Sequence, residues 1–147
     1  MSSFFKNGRL AAVRCVSRSA QDTARWGTVV GRLLEEGSVV VLQGALAAGK
    51  TCFVKGLALG LGIQEEITSP TFTLLAVYHG RLTLYHMDVY RLASLEDFFD
   101  IGAQECVYGT GVCVIEWGER VASELPEYTV TISLRVLADG NREITVA

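Results

Sequence analysis

Apolar and polar positions change period several times along the 147 residues. Leu10 to Ser17 reads as a first strand. Ser19-Ala20-Gln21-Asp22 then opens a helix, with serine at the cap and an acid three residues on. That helix runs through Leu34 and stops at Glu35-Glu36-Gly37. Ser38-Val39-Val40-Val41-Leu42 is a short β-branched apolar run, the signature of a buried strand. From Thr51 to Leu61 apolar residues recur three and four apart, predicting a helix that ends at Gly60 and Gly62. Phe72–Tyr78 and Arg81–Met87 flank the hairpin signal His79-Gly80, so they pair antiparallel and make the sheet mixed. Ser94-Leu95-Glu96-Asp97 caps a short helix with Phe98, Phe99 and Ile101 on its apolar side. Gly111 to Ile115 is a buried strand ending in Glu116-Trp117, and Gly118 to Leu125 is a short helix stopped by Pro126. Tyr128–Leu137 and Arg142–Val146 flank Ala138-Asp139-Gly140-Asn141, a hairpin with the turn chemistry hairpins prefer.

Between the second strand and the second helix stands an octet that meets the pattern G-x-x-x-x-G-K-[ST] at every required position. Its residues are Gly44, Ala45, Leu46, Ala47, Ala48, Gly49, Lys50 and Thr51. Strand, glycine loop and helix together aim backbone N–H groups and the positive end of a helix dipole at a phosphate. Lys50 is placed for the β- and γ-phosphates, and Thr51 for a magnesium ion bridging them. Ala45 and Ala47 stand where such loops often carry an acidic or small residue and a glycine. If position 47 adopts positive φ, alanine there costs about 1–2 kcal/mol. The plainer alternative is a glycine turn capping an ordinary helix, and the flanking elements weigh against it.

The order of elements makes the expected fold an α/β P-loop NTPase. One domain spans residues 1–147, with a mixed, mostly parallel sheet flanked by helices and a C-terminal β-hairpin. In open α/β sheets ligands sit beyond the carboxyl ends of the strands. Asp88 and Glu116 both stand at such ends and are the candidate partners of Lys50. One can anchor magnesium and the other orient water for in-line attack, and the sequence leaves the division open. Trp117 reads as packing or as a site or partner contact, and His86 as packing or as an aid to proton transfer.

Composition narrows the partners. The net charge is −3, only three of the cations are lysines, and no basic cluster appears, so any RNA is gripped through another protein. The mean hydropathy of +0.31 fits a packed core. No apolar run approaches the roughly 18 residues needed to span a bilayer, and Met1 to Lys6 has no long apolar region, so a cytoplasmic location is expected. The four cysteines lack C-x-x-C spacing and read as reduced, mostly buried thiols. Cys52 follows the loop directly and reads as an ordinary helix residue.

The ordered blocks Ala48-Gly49-Lys50-Thr51, Thr68-Ser69-Pro70-Thr71-Phe72-Thr73-Leu74, Tyr85-His86-Met87-Asp88-Val89-Tyr90-Arg91-Leu92 and Ile115-Glu116-Trp117 closely resemble the TsaE (YjeE) family, from about Ser17 to the final hairpin. The resemblance implies an ATPase assisting threonylcarbamoylation of adenosine 37 in tRNA, working with TsaB and TsaD and touching tRNA only through the complex. It implies that Lys50 contacts the phosphates, that Thr51 and Glu116 hold magnesium, and that Asp88 is the other functional acid. It further implies that Ser69, Pro70 and Thr71 form a loop responsive to the γ-phosphate, and that the stretch near Ala20 contacts the nucleotide. The family usually carries Asp and Gly where this chain has Ala45 and Ala47, which bears on turnover more than on binding.

Two other functions fit a phosphate loop. A small-molecule kinase needs an acceptor pocket and an arginine-rich lid, and no arginine cluster lies between Arg91 and Arg120. A nucleotide-gated binding subunit with little hydrolysis is the non-enzymatic alternative.

Overall fold

A computed structural model describes residues 5–6, 9–10, 13–45, 47–68, 70 and 74–147. Strands β1 (Phe5–Lys6) and β2 (Arg9–Leu10) form a small antiparallel pair. The main sheet contains β3 (Val13–Ser17), β4 (Val39–Gln43), β5 (Leu75–Tyr78), β6 (Leu84–Asp88), β7 (Val112–Glu116), β8 (Val130–Val136) and β9 (Arg142–Val146). Their spatial order is β3-β9-β8-β4-β7-β6-β5.

The central block β8-β4-β7-β6 is parallel. The flanking pairs β3/β9, β8/β9 and β5/β6 are antiparallel. The sheet is mixed, as the hairpin signals required, with parallel order confined to the middle. Central strands β4 and β7 are covered on both faces, which is why Val39–Leu42 and Val112–Ile115 read as unbroken apolar runs.

Helices α1 (Ala20–Leu33) and α2 (Lys50–Gly60) cover one face of the sheet. The other face carries α3 (Leu95–Asp100), α4 (Ala103–Val107) and a 3-10 segment from Gly118 to Glu124. Glycines set the distance between α1 and α2. A methyl group on Gly27 or Gly31 of α1 would lie 2.2 Å from the carbonyl oxygen of Phe53 or Leu57. One on Gly56 or Gly60 of α2 would lie 1.9 Å from Ala24 O or 2.4 Å from Thr28 O. Each helix thus presents two glycines four apart to its partner's backbone, on one face. The carboxyl end of α1 is closed by Arg81, which donates to Gly31 O (3.0 Å) and Leu34 O (3.3 Å).

Several expectations shift. The first long strand begins at Val13 rather than Leu10, which belongs to β2, and residues 11–12 lie outside the described set. The strand expected from Phe72 is described from Leu75 onward. Helix α4 was not anticipated, because five residues are too few to show a helical period. The segment after Trp117 is 3-10 with a non-helical Val121, not α-helix. Of the four cysteines only Cys113 is fully buried, and the others are half-buried.

Candidate functional site

The starts of the helices differ in a way that matters. Helix α1 is capped by Ser19, whose hydroxyl accepts from Asp22 N–H at 3.0 Å, and α3 by Ser94, accepting from Asp97 N–H at 3.4 Å. Helix α2 starts on Gly49, at φ 103°, with no side-chain cap. The first amides of a helix lack intrahelical partners, and those of α2 carry the positive end of its dipole toward whatever lies in front.

In front lies a cleft of about 800 Å³. Its wall includes Ala20, Ala47, Gly49, Lys50, Thr51, Asp88 and Glu116, so half of the site residues singled out from sequence converge there. Gly44 is not among the described residues lining the cleft, and a side chain there would meet Leu134 O at 2.7 Å. Ala45 is exposed and its carbonyl accepts from Ala48 N–H at 3.1 Å, while Ala48 is buried. Pro70 is buried and is not among the described residues lining the cleft; its carbonyl accepts from Leu74 N–H at 2.9 Å. Leu46, Ser69 and Thr71 lie outside the described residues.

Backbone strain gathers at this cleft. Among the described residues the non-glycine positions with positive φ are Ala47 (65°), Leu74 (63°) and Trp117 (61°), and all three line it. Such conformations persist where surrounding structure over-determines them, and they concentrate at functional sites.

Lys50 is 7% exposed, and its Nζ has no hydrogen-bond partner among the described residues. The ammonium rests 3.9 Å from the centroid of the Trp117 ring, a cation–π contact, and Tyr90 packs on that ring at 4.9 Å. A buried ammonium without an acceptor is costly, and an anion beside it would remove the cost.

The acids come from neighbouring strands. Asp88 of β6 and Glu116 of β7 are partners in the parallel register, and His86 shares the face of Asp88 two residues earlier. His86 Nε2 donates to Glu116 Oε2 at 2.6 Å, with both side chains buried. Asp88 Oδ1 accepts from Tyr90 N–H at 3.0 Å. The loop that follows is held by Arg120, which donates to the carbonyls of Val89, Tyr90 and Leu92.

Sequence reasoning overlooked part of the wall: Ser17, Arg18, Thr23, Leu74, Tyr90, Arg91, Gly140 and Arg142. The hydroxyls of Ser17 and Thr23 lie 2.7 Å apart and Ser17 also donates to Ser19 O, which fixes the turn into α1. Two hydroxyls flanking a helix start were a faint signal. Arg142, from the distant hairpin, carried none. Trp117 is a cleft residue, and Cys52 also reaches the wall.

The donor set fits a nucleotide triphosphate with magnesium. An orphaned buried ammonium and an uncapped helix start suit the phosphates. Among the described residues no three His, Cys, Asp or Glu side chains converge to hold a metal by themselves. Magnesium is commonly held by one or two carboxylates together with substrate phosphates and water, which Glu116, Asp88 and the hydroxyl of Thr51 can complement.

The family model described as threonylcarbamoyl adenosine biosynthesis protein TsaE matches residues 17–144. The chain belongs to the TsaE family. It is 99% identical over 135 residues to the tRNA threonylcarbamoyladenosine biosynthesis protein TsaE of Treponema pallidum (strain Nichols), covering 92% of this chain and 100% of that one. The TsaE of Bacillus subtilis (strain 168) is 40% identical over 126 residues, 85% of this chain and 78% of that one. The crystal structure of YdiB from Bacillus subtilis superposes with a TM-score of 0.79 at 34% identity, covering 92% of this chain and 84% of that one. TsaE membership places the chain in tRNA threonylcarbamoyladenosine biosynthesis and agrees with the P-loop NTPase fold. Among the described residues no helix is long and apolar enough to cross a membrane.

Proposed function

We propose that the chain binds ATP with magnesium in this cleft and hydrolyses it as a cytoplasmic accessory step of tRNA threonylcarbamoyladenosine formation, working with TsaB and TsaD. The observation that carries this reading is the buried Lys50 ammonium, left without a hydrogen-bond partner inside a complete phosphate-loop pattern. Amides of residues 49 to 52 receive the phosphate oxygens, and Lys50 leaves the Trp117 face to engage the β- and γ-phosphates. Thr51 and Glu116 hold magnesium, which when bound neutralises charge developing on the phosphates. Asp88 orients the attacking water. Ala20 contacts the nucleotide from the start of α1, and the Ser69-Pro70-Thr71 segment senses the γ-phosphate.

The chain by itself is a weak ATPase and its partners raise the rate. With a net charge of −3 it meets tRNA through the complex. The deciding experiment is phosphate release from magnesium-ATP with and without the TsaB–TsaD pair, using Lys50→Ala as the silent control. Release that rises with partners and vanishes in the variant supports the reading. Tight ATP binding with no release under either condition points instead to a nucleotide-gated subunit.

A further inference from the structure

The guanidinium of Arg142, in β9, reaches a loop 95 positions away in sequence. Its Nε donates to Ala48 O at 3.2 Å, Nη2 to Ala47 O at 3.2 Å and Nη1 to Gly140 O at 2.5 Å. One planar fork therefore ties the turn of the C-terminal hairpin to two consecutive carbonyls of the phosphate loop. The first of those carbonyls belongs to Ala47, at φ 65° in the left-handed region that alanine avoids.

We propose that Arg142 is the positioning residue of the phosphate loop, holding the strained Ala47 backbone in the conformation that presents the loop's amides to a ligand. The physical link is the rigid peptide. The carbonyl of Ala48 and the N–H of Gly49 share one trans plane and point in opposite directions. Holding Ala48 O toward the hairpin therefore turns the Gly49 N–H away from it. Holding Ala47 O fixes the peptide whose N–H, on Ala48, donates to Ala45 O at 3.1 Å. A glycine at position 47 would adopt this conformation without a steric cost. Alanine does not, so this chain relies on the clamp, and the two positions are coupled.

A lysine cannot do this work. It keeps the charge but lacks the planar fork that reaches three carbonyls at once. The consequence for nucleotide binding rests on the function proposed above, whereas the clamp itself can be read without any ligand.

The test is a cycle of four proteins: the parent, Arg142→Ala, Ala47→Gly and the double variant, with Arg142→Lys added. One measurement is affinity for the magnesium complex of a non-hydrolysable ATP analogue. The other is hydrogen exchange at the Ala48 amide in nucleotide-free protein, with the core amide of Val40 as reference. We expect Arg142→Ala and Arg142→Lys each to weaken binding about tenfold in the parent, and Arg142→Ala to weaken it about twofold in the Ala47→Gly background. Ala48 exchange accelerates about tenfold in Arg142→Ala while Val40 is unchanged. Equal losses in both backgrounds, or parental affinity in Arg142→Lys, overturn the proposal and make Arg142 a plain charge for the ligand. If the parent binds no nucleotide yet Ala48 exchange accelerates, the clamp stands and the nucleotide reading falls. Unchanged Ala48 exchange in Arg142→Ala removes the clamp whatever the affinity does.

Discussion

His86 holds Glu116: the imidazole Nε2 lies 2.6 Å from the carboxylate Oε2, with both side chains buried on adjacent strands and Glu116 still reaching the cleft wall. Glu116 is therefore tethered by a side chain of the adjacent strand, while the carboxylate of Asp88, opposite it in register, accepts from the Tyr90 N–H of its own turn. That asymmetry favours Glu116 as the fixed metal-holding acid and Asp88 as the acid free to meet water. Residues that orient a metal-holding side chain typically change metal affinity 10–100-fold when removed. His86→Ala is thus expected to raise the magnesium concentration needed for nucleotide binding about tenfold, with His86→Gln recovering part of the loss. A magnesium titration of binding checks this; unaltered magnesium dependence in His86→Ala would leave the histidine a packing residue.

Lys50→Ala should separate binding from stability. Loss of the ammonium is expected to weaken nucleotide binding by about 100-fold, the worth of a charge-assisted contact of roughly 3 kcal/mol. The melting temperature without nucleotide should hold or rise, because the variant no longer buries an ammonium lacking an acceptor. Calorimetric titration and a thermal melt read the two effects. A large drop in melting temperature would show that Lys50 is chiefly structural.

Gly56→Ala should fail through helix packing. The added methyl would sit 1.9 Å from Ala24 O, backbone that cannot yield without moving α1. We expect a net loss of about 2–4 kcal/mol even after the better helix propensity of alanine. Urea unfolding gives the number. A midpoint within error of the parent would mean that α1 and α2 can separate at little cost.

Burial pushes the Cys113 thiol up to about 12, with Cys106 adding to the effect, and burial also raises Cys15 and Cys106. A raised thiol pKa means the folded state keeps its proton where the unfolded chain has lost it. Stability from Cys113 is complete below the ordinary value of 9.0 and is lost as pH climbs from there to about 12. Unfolding free energy followed across that window should fall, and Cys113→Ala should flatten the decline. A slope identical in the two proteins would mean that other groups govern alkaline unfolding.

Short-range patterns in the chain carry the local elements and the residue pattern of the phosphate loop. Runs such as Val39–Leu42, the serine cap at Ser19 and the Gly49-Lys50-Thr51 ending are short-range patterns, set by steric and hydrogen-bonding rules acting within a few residues. The positions of Asp88 and Glu116 at strand tips were also legible, since a polar residue closing an apolar run marks the end of a strand. Tertiary structure alone decided how these pieces meet. That Glu116 binds His86, that Lys50 rests on Trp117 and that Arg142 grips Ala47 and Ala48 all depend on strand order and register. Strand order is chosen by burial summed over the whole core. No local signal in Arg142 could announce contacts made across 94 and 95 positions of chain. Even the left-handed backbone at Ala47, conditional in the sequence, becomes definite only where the folded hairpin supplies the bonds that hold it.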